Sequence, residues 1–183
     1  MVQKTKITKE DELLLQDFSA SISKTASVTF YLVSLLAAAA PIYLFYGVHQ
    51  MEVNDSWFIW IAAVVGVTYI LAQSYKNVKH VIKHQIVVKR GDAIARDATR
   101  QLAEDKNMGK KEKDEWILWK KNEVGDYEAT VFTIFYNNVF FYVVFLALSF
   151  FLLASVNPIF NCLLSMYGAA GLVYAFSTSK KNI

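Results

Sequence analysis

Three long runs of this sequence, residues 25–51, 56–75 and 129–179, contain no Lys, Arg, Asp or Glu, and every charged side chain lies before, between or after them. A bilayer core about 30 Å thick takes roughly 20 apolar residues as helix, because in hydrocarbon each backbone N–H and C=O must be paired within the segment. The first two runs therefore carry one span each. The third has 51 residues, enough for two, and Ser155-Val156-Asn157-Pro158 supplies a turn near its middle, since proline cannot donate the bond that would continue a helix. The pattern predicts four transmembrane helices over 28–48, 56–73, 131–154 and 158–177. The fold class is an all-α membrane protein in which a helical hairpin joins the second span to the third.

That hairpin is read from residues 76–128. Val78, Ile82, Ile86, Ile94, Ala98 and Leu102 recur mostly four apart, a helical stripe and not a strand alternation. One helix is expected over 75–104, with Asp92 and Arg96 as an (i, i+4) pair. Asn107-Met108-Gly109 tolerates the backbone angles of a reversal. A second helix is expected over 110–124, returning Trp116, Ile117, Trp119 and Val124 toward the first, with Gly125 ending it before the third span. At the amino terminus Thr8 can cap a helix with Asp11 three residues on, and Leu14, Leu15, Phe18 and Ile22 share one face; this predicts an amphipathic helix on the membrane or against the hairpin. The resulting domains are 1–27, an amphipathic N-terminal segment; 28–75, a first transmembrane hairpin; 76–128, the extramembrane hairpin; 129–179, a second transmembrane hairpin; and 180–183, a tail.

Charge orients this arrangement. All nineteen basic residues lie before the first span, between the second and third, or after the last. Positive charge is retained on the cytosolic side, so both termini and residues 76–128 are expected there, with 47–55 and 155–158 on the far side. Asn54-Asp55-Ser56 matches a glycosylation acceptor but lies against the membrane and is expected to stay unmodified. Tyr43, Tyr46, Trp57 and Trp60 gather toward the far-side ends of the first two spans, as an aromatic belt would. A charged segment precedes the first span, which is expected to act as an uncleaved anchor. Cys162 is the single cysteine, so no disulfide can form within the chain.

The spans hold no charged residue, which argues against catalysis or ion passage within the membrane. Their polar exceptions, Gln73, Asn137, Asn138 and Asn161, are expected to hydrogen-bond between helices. Small residues at 37–40, 62, 63, 66 and 168–171 are expected to let helix backbones approach, and Pro41 to kink the first span. His80 and His84 have metal-ligand spacing on a helix, but Lys79 and Lys83 flank them and disfavour a cation. No Gly-rich phosphate loop, H-E-x-x-H or G-x-S-x-G is present. The expectation is no catalytic residue, no metal, no cofactor and no enzyme.

The hairpin carries thirteen basic and ten acidic residues, and their unevenness is the clue to a partner. Lys76, Lys79, Lys83, Lys89 and Arg90 precede the first acid, Asp92, and lie next to the bilayer; anionic lipid head groups would attract them by about 1 kcal/mol each. Lys106, Lys110, Lys111 and Lys113 sit at the distal tip instead, beyond lipid's reach. A basic tip can meet phosphate without reading sequence, although Asp105, Glu112, Asp114 and Glu115 dilute it. On residues alone, a small four-span transporter or channel and a lipid-binding protein stay open as alternatives.

Residues 111–138 read KEKDEWILWKKNEVGDYEATVFTIFYNN, and this run resembles the gamma-subunit family of the translocon-associated protein (TRAP) complex, the signal sequence receptor. ELLLQDFS at 12–19 and YKNVKHVIKH at 75–84 look like the family's other segments, so the resemblance covers nearly the whole chain. It implies a four-span protein of the endoplasmic reticulum membrane with both termini and the hairpin cytosolic. It implies alpha, beta and delta subunits as companions, the Sec translocon beside them, and the large ribosomal subunit, through rRNA and ribosomal protein, as the hairpin's contact. Carried onto this chain, that contact would use Lys106, Lys110, Lys111 and Lys113 first and Arg96 and Arg100, one turn apart, second. Lys180 and Lys181 stand at the fourth and third positions from the end, the cytosolic dilysine retrieval pattern, which also suits a protein of the endoplasmic reticulum.

Overall fold

The computed structural model describes residues 24–102 and 109–179, all helical apart from short connections. Helix α1 is Lys24–Gly47, α2 Val53–Leu102, α3 Lys110–Ala147 and α4 Pro158–Ser179, with a π-helical turn, Leu148–Leu152, closing α3. All four helices include a stretch long and apolar enough to cross a membrane. The predicted N-terminal amphipathic helix and the terminal dilysine lie outside the described residues, as do Asn107 and Met108 of the predicted reversal.

Local chemistry sets the helix ends. At the start of α3 the Gly109 N–H donates to Glu112 Oε2 (3.1 Å), a carboxylate reaching back to an otherwise orphaned amide. At the start of α4, Asn157 Oδ1 accepts from the Ile159 N–H (3.0 Å), and Pro158 occupies the first helical position, where its missing N–H costs nothing. The predicted turn at 155–158 thus separates two spans.

Two expected helix ends fail. Gly125 does not end a helix: α3 runs uninterrupted from Lys110 to Ala147. No glycine among the described residues has a positive φ, so Gly125 keeps helical angles. What it supplies is room, because a Cβ there would sit 3.1 Å from Cγ2 of Val87 on α2. The third span also loses α-geometry at Ala147 and not at Ala154: Leu153 N–H donates to the Leu148 carbonyl (2.8 Å), five residues back.

The chain divides into two compact units. The apolar unit's described residues are 24–78 and 133–179. Phe30, Phe45, Leu71, Tyr75, Phe141 and Phe145 lie in its core, with the Phe45 and Phe145 rings edge to face at 5.9 Å. Of the small residues in the pattern, Ala37, Ala38, Ala63, Ala169 and Ala170 are buried there, whereas Ala39, Ala40, Ala62 and Gly171 are exposed. A Cβ on Gly66 would overlap the Tyr167 ring, whose hydroxyl donates to the Ala62 carbonyl at 2.9 Å, so this glycine seats α4 against α2. Tyr43, Tyr46 and Trp57 are exposed, while Trp60 is a core residue and not part of an aromatic belt.

Three of the four polar span residues bond between or across turns as the sequence predicts. Ser74 donates to Asn137 Oδ1 (3.2 Å) and Tyr75 to Asn138 Oδ1, joining α2 to α3. Asn161 Nδ2 donates to the carbonyls of Ser149 (3.0 Å) and Leu153 (2.9 Å) at the π turn, the latter also accepting from the Val156 N–H (3.0 Å). His49 Nε2 lies 3.2 Å from Ser149 Oγ and stacks on Phe45, tying the end of α1 to the same turn.

Candidate functional site

The second unit, described over 79–102 and 109–132, holds the charged candidates. Its two helical segments pack side by side through Val87 and Gly125, and Ile86, Ile94 and Ala98 are buried along α2. These are three members of the four-residue stripe in the sequence.

Ion pairs join the segments. Lys79 Nζ lies 2.9 Å from Asp126 Oδ2 and Lys83 Nζ 3.2 Å from Asp126 Oδ1, so one carboxylate receives two ammonium groups. The lysines are 3% and 6% exposed, and their long stems are covered along with their charges. Burial alone would raise the Asp126 pKa, but the Lys79 and Lys83 charges and hydrogen bonds outweigh it and hold the carboxyl below its usual value. Arg90 Nη1 makes a forked contact with both Glu128 oxygens (2.9 and 2.7 Å).

These pairs change the picture of the five basic residues next to the first apolar runs. In sequence they have no acid before Asp92, yet α3 brings Asp126 and Glu128 to three of them. Lys76 has its ammonium 4.9 Å from the Tyr31 ring centre, and Lys89 is exposed. No local signal could have found Asp126, which is 47 residues from Lys79 in the chain.

Of the distal candidates, Lys106 lies outside the described residues, as do the side chains of Lys110 and Lys111, which begin α3. Lys113 is half-buried. Arg96 and Arg100 are both exposed and line a shallow groove with Ala93 and Asp97. The expected Asp92–Arg96 pair takes another form: Arg96 Nε donates to the Asp92 backbone carbonyl (3.2 Å), which steadies the guanidinium along the helix. His80 and His84 are exposed, and among the described residues no group of three or more His, Cys, Asp or Glu could hold a metal.

On α3, Trp116 and Ile117 are half-covered, but Trp119, expected to turn toward α2, is 53% exposed. Tyr127, which no sequence pattern singles out, is 71% exposed. The exposure of both follows from helical phase, since they stand two turns and a fraction apart on one face.

The arrangement offers binding chemistry. Exposed guanidinium groups stand along α2, internal ion pairs fix the neighbouring helix, and the spans carry hydrogen-bonded packing. Comparison with known proteins supplies a family for it. Residues 10–179 match the family described as "Translocon-associated protein, gamma subunit (TRAP-gamma)". A relative named translocon-associated protein subunit gamma, from Dictyostelium discoideum, is 24% identical over 173 residues, covering 92% of this chain and 98% of its own length. With four helices long and apolar enough to cross a membrane and a family match over nearly all of its length, the chain belongs to the gamma-subunit family of the translocon-associated protein complex.

Proposed function

We propose that this chain is a noncatalytic subunit that anchors the TRAP complex in the endoplasmic reticulum membrane and docks it to the ribosome-bound Sec translocon, assisting cotranslational translocation and membrane insertion. In this reading both termini and the charged unit are cytosolic. The apolar unit holds the alpha, beta and delta subunits and the translocon nearby, and the charged unit meets the large ribosomal subunit.

The observation that supports docking most directly is the exposed Arg96 and Arg100 pair, one turn apart on a groove in a family member's charged unit. Guanidinium groups at that spacing suit neighbouring phosphates, since each can donate two parallel hydrogen bonds and neither can lose its charge. Lys106, Lys110, Lys111 and Lys113 add charge at the same end of the sequence segment. Lipid head groups fall mainly to Lys76 and Lys89 in this reading, because Lys79, Lys83 and Arg90 serve Asp126 and Glu128.

Cosedimentation with ribosomes from detergent-solubilised membranes tests the proposal. Changing Arg96 and Arg100 to Glu, or Lys110, Lys111 and Lys113 to Glu, is expected to weaken association. Its dependence on salt is expected to flatten as well, the slope falling by about 0.9 for each phosphate that the variant no longer neutralises. Association unchanged by salt and by both reversals refutes phosphate docking. A glycosylation acceptor placed near Met108 is expected to stay unmodified, and efficient modification there inverts the orientation.

A further inference from the structure

Glu112, Glu115, Trp119, Glu123 and Tyr127 are all exposed and follow one another at steps of three or four residues, so they line a single face of α3. Across 112–127 every exposed charged side chain is acidic, Asp114 included, whereas Lys113, Lys120 and Lys121 are half-covered. The strip therefore presents carboxylates and two large aromatic rings. We propose that it docks an arginine-rich protein segment.

The chain already contains a small version of that contact. Lys120 Nζ lies 5.6 Å from the Trp119 ring centre and 2.7 Å from Glu123 Oε2, a cation held between a ring and a carboxylate. An incoming arginine makes both contacts with a planar group that also stacks on the indole. Exposed Trp and Tyr suit an anchoring role, because each offers a large amphipathic surface at low entropic cost. Trp119 and Tyr127 are eight residues apart, roughly 12 Å along the helix. An extended segment covers that distance in about three to four residues, which sets the spacing of two arginines that engage both rings.

Nucleic acid and anionic lipid fit this strip poorly, because the carboxylates of Glu112, Glu115 and Glu123 face them; they fit the α2 face with Lys89, Arg96 and Arg100. The inference deepens the docking role proposed above by adding a protein-binding face to a phosphate-binding one, and it rests on that reading only for the partner's place in the cell.

The test uses the full chain in phosphatidylcholine nanodiscs, with fluorescein-labelled nona-arginine, nona-lysine and polyuridylate as probes in fluorescence anisotropy. Trp119→Ala with Tyr127→Ala, and separately Glu115→Gln with Glu123→Gln, is expected to weaken nona-arginine binding about tenfold. Trp119→Phe with Tyr127→Phe is expected to retain most of it, and nona-lysine to bind more weakly than nona-arginine throughout. Nona-arginine binding indifferent to both pairs of changes overturns the proposal, as does equal binding of nona-lysine. Loss of polyuridylate binding in the Trp119→Ala, Tyr127→Ala protein also overturns it, by assigning the strip to nucleic acid. Arg96→Glu with Arg100→Glu is expected to weaken only polyuridylate, and its failure to do so refutes phosphate docking while leaving the strip untouched.

Discussion

Replacing Asp126 by Asn keeps the shape of the side chain and removes the charge that Lys79 and Lys83 share. Both lysines are nearly inaccessible, at 3% and 6% exposure, and their ammonium groups lose a carboxylate at 2.9 and 3.2 Å. Removing one partner of a fully buried pair costs about 3–5 kcal/mol. Asp126 is 35% exposed, and solvent screening on its side lowers the expected cost to about 2 kcal/mol. That corresponds to about a thirtyfold rise in local opening, since each 1.4 kcal/mol is tenfold. Hydrogen exchange read by mass spectrometry on amides of 79–90 and 120–130 measures it in the intact chain. Because the folded carboxyl titrates below its unfolded value, the stabilisation is complete above that value and disappears as pH falls through the folded one. Wild type and Asp126→Asn are therefore expected to differ at pH 7 and to converge as the pH falls through the lowered folded value of the carboxyl. Equal protection at pH 7, or a gap that persists undiminished in acid, refutes this account.

Gly66→Leu is expected to drive α4 away from α2 by displacing Tyr167 from the Ala62 carbonyl, costing about 1–3 kcal/mol of overpacking, whereas Tyr167→Phe at the same contact is expected to cost about 1 kcal/mol; thermal unfolding in detergent distinguishes the two. Asn161→Leu removes both donors to the π turn and is expected to destabilise the apolar unit by about 0.6–1.7 kcal/mol, seen as faster modification of a cysteine engineered at Leu153 by a membrane-permeant maleimide.

The four spans were legible because a hydrocarbon solvent leaves a coarse signature: long uncharged runs, and an Asn-Pro step that cannot stay helical. Interhelical bonds from Asn137, Asn138 and Asn161 were legible for the same reason, since a buried amide must find a partner. Gly125 was misread because glycine's freedom and glycine's smallness leave the same letter. Only the packing at Val87 distinguishes them. The charged unit was legible as two helices and as a basic segment, but its ion pairs were not. Lys79 and Asp126 are far apart in sequence, and no periodicity specifies which face of one helix meets which face of another. Trp119 shows the limit from the other side: its type suggested packing, and its position on the helix left it in the open.

The π turn at the end of α3 has a consequence for biogenesis. The carbonyls of Ser149 and Leu153 accept there from Asn161, a residue synthesised later and belonging to the next helix. Until α4 emerges, both carbonyls lack that amide donor, and Leu153 keeps only the Val156 N–H. The second helix of this pair thus completes the hydrogen bonding at the end of the first, and the two are expected to be most stable once both are made.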